Sequence, residues 1–119
     1  MTDLRPRRSA LYMPSSNEKA LEKAKSIPAD ALIFDLEDAV APDAKPAARA
    51  NAVAAAKSGD YGRREITIRC NGLDTQWGAD DLAAAATSGA AAVVIPKINS
   101  TVELDDVSRR LSAAGAPIR

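Results

Sequence analysis

Residues 31–45 read ALIFDLEDAVAPDAK. The run Ala31–Phe34 is apolar at every position, the pattern of a strand covered on both faces rather than one. It breaks into Asp35, Glu37 and Asp38 and then into a proline-punctuated loop. Clustered carboxylates repel one another and resist desolvation, so they need a counter-ion, protons or a chemical task. By strand parity Asp35 and Glu37 share one face, and Asp38 starts the loop.

The same strand–loop–helix unit recurs on either side. Before the stretch, a strand over Ala10–Met13 ends at Pro14, and Ser16 or Asn17 is placed to cap a helix to about Ser26. Ala20, Leu21, Ala24 and Ile27 share one face of that helix, and Pro28 stops it. After the stretch, PAARANAVAAAKSG is helical by propensity and closes at Gly59. A third strand, Glu65–Cys70, leaves at Asn71-Gly72, and a helix from about Gly78 to Ser88 ends at Gly89. A fourth strand, Ala91–Ile95, leaves at Pro96-Lys97. Ser100 or Thr101 then caps a helix to about Ala114, with Glu103 three residues after Ser100 as a capping-box partner.

Four βα units in series predict a parallel sheet, and Ala116-Pro117-Ile118-Arg119 reads as the opening of a fifth strand. The expected fold is α/β, residues 1–119 forming the N-terminal half of a single (β/α)8 TIM barrel whose remainder lies outside this chain. The alternative is a complete small open sheet of flavodoxin or receiver type.

Composition narrows the function. The 119 residues carry 16 basic and 16 acidic side chains, and no Lys/Arg run interleaves with aromatics, which argues against nucleic acid. No stretch of about 18 apolar residues occurs, so no membrane-spanning helix is expected. The start, MTDLRPRRSA, has no apolar core of a secretory leader, and the single cysteine, Cys70, suits a reducing compartment; the expected setting is the cytoplasm. Alanine occurs 26 times and aromatics four, which suits close helix-on-sheet packing rather than a β-sandwich.

Ligand sites of parallel α/β sheets lie at the carboxyl ends of the strands. The four exits carry Tyr12 and Pro14; Asp35, Glu37 and Asp38; Arg69, Asn71 and Asp74; and Pro96, Lys97 and Asn99. Acids and bases on one rim suit a divalent cation plus an anionic substrate. The plainer reading is an ion-pair network in which Arg69 and Lys97 neutralise Glu37 and Asp38. Parity within EITIRCNG puts Thr67, Arg69 and Asn71 on the face opposite Ile66 and Ile68, where a guanidinium can grip a carboxylate bidentately. Lys97 reads as loop support, Lys45 as a solvated helix-entry charge that could also clamp the carboxylates, and Asp80 and Asp81 as helix-dipole partners. Lys19, Lys23 and Lys25 read as a wet helix face, Asp30 and Arg63-Arg64-Glu65 as loop residues at the opposite rim, and Cys70 as packing. With no histidine there is neither a Ser-His-Asp triad nor a His-ligated zinc site.

The blocks RSALYMPSSNEKALEKA (8–24), ADALIFDLEDAVAPDAKPAAR (29–49), ITIRCNGLDTQWGADDL (66–82) and AAVVIPKI (91–98) resemble, in order, the citrate lyase β-subunit-like proteins of the HpcH/HpaI aldolase superfamily, relatives of malyl-CoA and citramalyl-CoA lyases. The resemblance implies a (β/α)8 barrel, a homotrimer or hexamer, and Mg2+-dependent making or breaking of a C–C bond beside a coenzyme A thioester. It implies that Arg69 grips the carboxylate of a keto acid, that Tyr12 and Lys23 contact the CoA portion, and that Glu37 and Asp38 bond to metal-bound water. It places the direct metal ligands beyond Arg119. The implied activity is cleavage of a 3-hydroxyacyl-CoA to acetyl-CoA and a keto acid. A non-catalytic regulatory module, or a truncated remnant acting by assembly, remains the alternative.

Overall fold

The computed structural model describes residues 6–116. The arginine-bearing first residues and the expected opening of a fifth strand at Ala116–Arg119 fall partly outside that range. Four strands, β1 (Ala10–Pro14), β2 (Ala31–Asp35), β3 (Glu65–Arg69) and β4 (Ala92–Val94), alternate with four helices, α1 (Glu18–Ala24), α2 (Lys45–Ser58), α3 (Gly78–Ala86) and α4 (Thr101–Ala113). All pairings are parallel and the sheet order is β1-β2-β3-β4.

That order differs from the order of a doubly wound sheet. A doubly wound sheet reverses its strand order and carries helices on both faces. Here Met13, Leu32, Phe34 and Ile68 share one cluster with Leu21 and Ala24 of α1, Ala48 and Ala52 of α2, and Ala85 of α3. Val93 and Ile95 pack against Leu82, Ala86, Val107 and Leu111 of α3 and α4. All four helices therefore cover the same face, as in a singly wound βα fold. Among the described residues four such units are present. None of the described helices is long and apolar enough to cross a membrane.

Local chemistry explains the element ends. Asn17 caps α1, its side-chain oxygen accepting from the Ala20 amide at 3.1 Å. The helix stops at Ala24, short of Ser26, because residues 25–27 tighten into three-residue turns. Arg64 holds that end: its guanidinium donates to the carbonyls of Ile27 at 2.8 Å and Lys25 at 2.6 Å, and also to Ala24. Arg64 is thus the cap of α1 and not an ordinary loop residue. Gly59 ends α2 at φ 74°, a left-handed position open to glycine without strain. Ser100 caps α4 through the Glu103 amide, while the Glu103 carboxylate accepts from Asn99 rather than from Ser100 itself, a shifted capping box.

The parallel register carries the fold to the site. Pro14, Asp35, Arg69 and Val94 form one row at the carboxyl ends of the strands, and Tyr12, Ile33, Thr67 and Ala92 form the row two residues earlier. Both rows face away from the helices.

Candidate active site

Asp35 and Arg69 are neighbours in register and bind each other through two hydrogen bonds, Nε to Oδ1 at 2.7 Å and Nη2 to Oδ2 at 2.9 Å. The Glu37 and Ala39 amides donate to the same two oxygens at 2.9 and 3.0 Å. Four donors saturate a carboxylate that is only 1% exposed. Burial by itself would raise the Asp35 carboxyl, but the hydrogen bonds from Arg69 and the two amides outweigh it and hold it below the usual range. The Arg69 guanidinium is correspondingly raised, chiefly by its hydrogen bonds to Asp35. Asp35 is therefore not a rim carboxylate open to a cation: it is the anchor of Arg69. A receiver-type phosphate acceptor does not fit it either, since none of its oxygens is free.

The fork that the sequence assigns to substrate is thus half used. The Nε–Nη2 edge of Arg69 belongs to Asp35, and Nη1 lies 3.5 Å from Oε1 of Glu37. The Tyr12 ring lies under the guanidinium, 4.9 Å from Cζ to centroid. Tyr12 stands on β1 and Arg69 on β3, so the two side chains meet across β2, which helps explain how Asp35 is covered on a face that has no helix. Tyr12 itself is 52% exposed.

Glu37 sits between two cations. Lys97 reaches across from the exit of β4 and donates to Oε2 at 3.1 Å. The Lys97 amine is raised, first by that hydrogen bond and then by the charges of Glu37, Asp38 and Asp74. Lys97 is the one non-glycine residue with positive φ (57°) among the described residues, a conformation that costs energy and turns the chain sharply after Pro96. The plainer reading of the rim, a network neutralising Glu37 through Arg69 and Lys97, is what the geometry displays; Asp38 stays exposed at the loop. Lys23 is not brought to this cluster. It is exposed in the last turn of α1, which runs away from the rim.

Beneath the rim lies a polar layer that the sequence did not disclose. Lys45 is buried, not solvated: its ammonium donates to the carbonyls of Leu36 at 3.0 Å and Glu37 at 2.8 Å and packs 5.1 Å from the Trp77 ring. It clamps main-chain carbonyls and not the carboxylates. Asp81, expected as a surface dipole partner, is 1% exposed; it accepts from Arg49 Nε at 2.8 Å and from both the amide and the side chain of Asn71. Asn71 also donates to Leu36 at 2.9 Å, so its side chain turns under the loop rather than into the rim. Two signals were available: a lysine at a helix N-terminus opposes the dipole and needs another reason, and Asp81 falls on the face of α3 shared with Gly78 and Ala85. The loop closes tightly above α3, since a Cβ on Gly78 would lie 2.0 Å from the Gly72 carbonyl oxygen.

Cys70 is fully buried and its thiol is pushed up to about 12 by that burial, so it packs as an apolar group. Among the described residues no three acidic, histidine or cysteine side chains converge to hold a metal ion.

Fold and cluster together define a class: singly wound βα proteins that hold an anchored arginine and rim carboxylates at the strand exits. The chain belongs to the HpcH/HpaI aldolase/citrate lyase family, whose model matches residues 8–119. It is 52% identical over 103 residues to a (3S)-malyl-CoA thioesterase of Cereibacter sphaeroides, covering 87% of this chain and 36% of that protein. It is 37% identical over 107 residues to the citrate lyase subunit beta of Escherichia coli K12, covering 90% of this chain and 35% of that one. A citrate lyase beta subunit from M. tuberculosis, solved with oxaloacetate and magnesium, superposes with a TM-score of 0.67 at 31% identity over 83% of this chain and 42% of that one. The chain therefore spans about a third of the length of these curated relatives.

Proposed function

We propose that these residues form the strand-exit half of an acyl-CoA carbon–carbon lyase site, the first four units of an eight-unit barrel, working in the cytoplasm as a trimer or hexamer. The observation that carries this reading is Arg69 at a strand exit, held by Asp35 through Nε and Nη2 and by the Tyr12 ring, with the remaining N–H groups of Nη1 and Nη2 along its third edge beside Glu37. That edge suits the carboxylate of a keto acid, which it binds in plane through two N–H donors.

The reaction is retro-aldol cleavage of a 3-hydroxyacyl-CoA of the malyl-, citramalyl- or citryl-CoA class. The 3-hydroxyl loses its proton to a general base, the C2–C3 bond breaks, and its electron pair passes to the thioester enolate. Protonation at C2 then gives acetyl-CoA, with the keto acid as second product. Arg69 orients the keto-acid carboxylate through both steps. The oxygens of Glu37 face Arg69 and Lys97, so Glu37 and the exposed Asp38 would assist a Mg2+ ion by accepting hydrogen bonds from its water rather than by direct ligation. When bound, Mg2+ acts as a Lewis acid on the keto-acid carbonyl. Tyr12 borders the same site; Lys23, on the exposed flank of α1, contacts the CoA portion where that portion extends along the helix.

Likeness to a malyl-CoA thioesterase favours one second reading, hydrolysis of the thioester with release of the hydroxy acid and free CoA. Incubation of the full-length protein with (3S)-malyl-CoA and Mg2+ separates the two. Acetyl-CoA and glyoxylate support the lyase; malate and free CoA support the thioesterase. Unchanged substrate in every pairing sinks both and leaves an assembly role.

A further inference from the structure

We infer that Lys45 is a positioning residue of this site, fixing the direction of the Glu37 carboxylate and tying its loop to the loop that follows β3; this rests on the acyl-CoA reading above. The argument begins with cost. A lysine in the first turn of a helix faces the positive end of the dipole, and one that is 6% exposed also loses its water. Among the described residues no carboxylate lies within ion-pair distance of it. What it gains is two carbonyls and an aromatic face.

Those carbonyls are specific. The Leu36 carbonyl belongs to the peptide plane before the Glu37 Cα, and the Glu37 carbonyl to the plane after it. Peptide units are rigid, so pinning both planes fixes the two dihedrals of Glu37 and the direction of its Cα–Cβ bond. Asp35 Oδ1 holds the Glu37 amide at 2.9 Å and Asn71 shares the Leu36 carbonyl at 2.9 Å. The carboxylate so aimed meets Arg69 and Lys97. The ammonium also rests against Trp77, the residue just before α3 and the sole tryptophan of the chain. Movement of the loop after β3 is thereby passed to Glu37.

The test uses Lys45→Met, which keeps the apolar stem and deletes the donors, and Lys45→Arg, which restores donors. In the condensing direction of the full-length enzyme, Lys45→Met should raise the KM for glyoxylate about tenfold, as loss of a charged hydrogen bond does, and leave that for acetyl-CoA unchanged. Lys45→Arg should recover most of the loss. In a Glu37→Gln background the same Lys45→Met change should move the glyoxylate KM by less than about twofold. An equal effect with and without Glu37, or a lower melting temperature with both KM values unchanged, overturns the proposal. Trp77 emission should shift in Lys45→Met and return in Lys45→Arg. If the wild-type protein turns over neither substrate, the acyl-CoA reading fails, yet amide exchange over residues 36–40 still judges the positioning. Faster exchange in Lys45→Met alone supports it, and identical exchange in all three proteins overturns it.

Discussion

The two ends of the sheet carry the same chemistry and use it differently. At the amino ends of the strands, Arg8 forks onto Asp30 with both distances 3.1 Å, and Arg7 onto Glu65 with both 2.7 Å. At the carboxyl ends, Arg69 forks onto Asp35 at 2.7 and 2.9 Å. Bond lengths do not tell the rims apart; exposure does. The arginines of the first rim are 80% and 50% exposed, while Arg69 is 20% and Asp35 1% exposed. Water screens an exposed pair and competes for its donors, so it contributes little. A buried pair cannot lose one member without stranding the other. The pairs of the amino rim lie open to water, while the Arg69–Asp35 pair of the carboxyl rim is held within the protein.

The largest expected effect breaks this contrast if it fails. Asp35→Ala strands Arg69 and two amides, and should cost about 3–5 kcal/mol in chemical denaturation. In turnover, Arg69→Ala should cost about a hundredfold or more if the keto-acid reading is right. Gly78→Ala comes next, at about 3 kcal/mol, because the new methyl meets backbone and not a flexible side chain. Asn71→Ala leaves Asp81 and the Leu36 carbonyl each short of a donor, worth about 1–3 kcal/mol.

Acid sharpens the comparison further. The Asp35 carboxyl is lower in the folded than in the unfolded chain, so the unfolded state binds more protons in that window. Its contribution is present above the unfolded value of about 4 and is lost as pH falls through the folded value. A denaturation series in pH should show stability falling below about pH 4, with a shallower slope in Asp35→Asn. The smallest effect belongs to the other rim: Arg8→Ala should leave the denaturation midpoint within error of wild type. A loss equal to that of Asp35→Ala would erase the distinction.

Much of the fold was legible before any coordinates. Proline and glycine punctuation and the apolar run of β2 located the elements to within a few residues, and strand parity put Arg69 on the face away from the isoleucines. Strand exits named the rim. What parity could not name was the partner. The bidentate grip expected for a substrate falls on Asp35, 34 residues away, because the β2–β3 register sets them side by side.

Helix-entry rules likewise described Lys45 and Asp81 as surface charges, and both are buried. Local sequence reports what one residue prefers against its own helix or strand; it says nothing of which distant carbonyl will need a donor once loops close over it. The sequence by itself determined the βα alternation, the rim on which acids and bases collect, and the family. Only the tertiary structure decided which charges are spent within the protein, because that allotment depends on inter-strand register and burial, and neither is written in local periodicity.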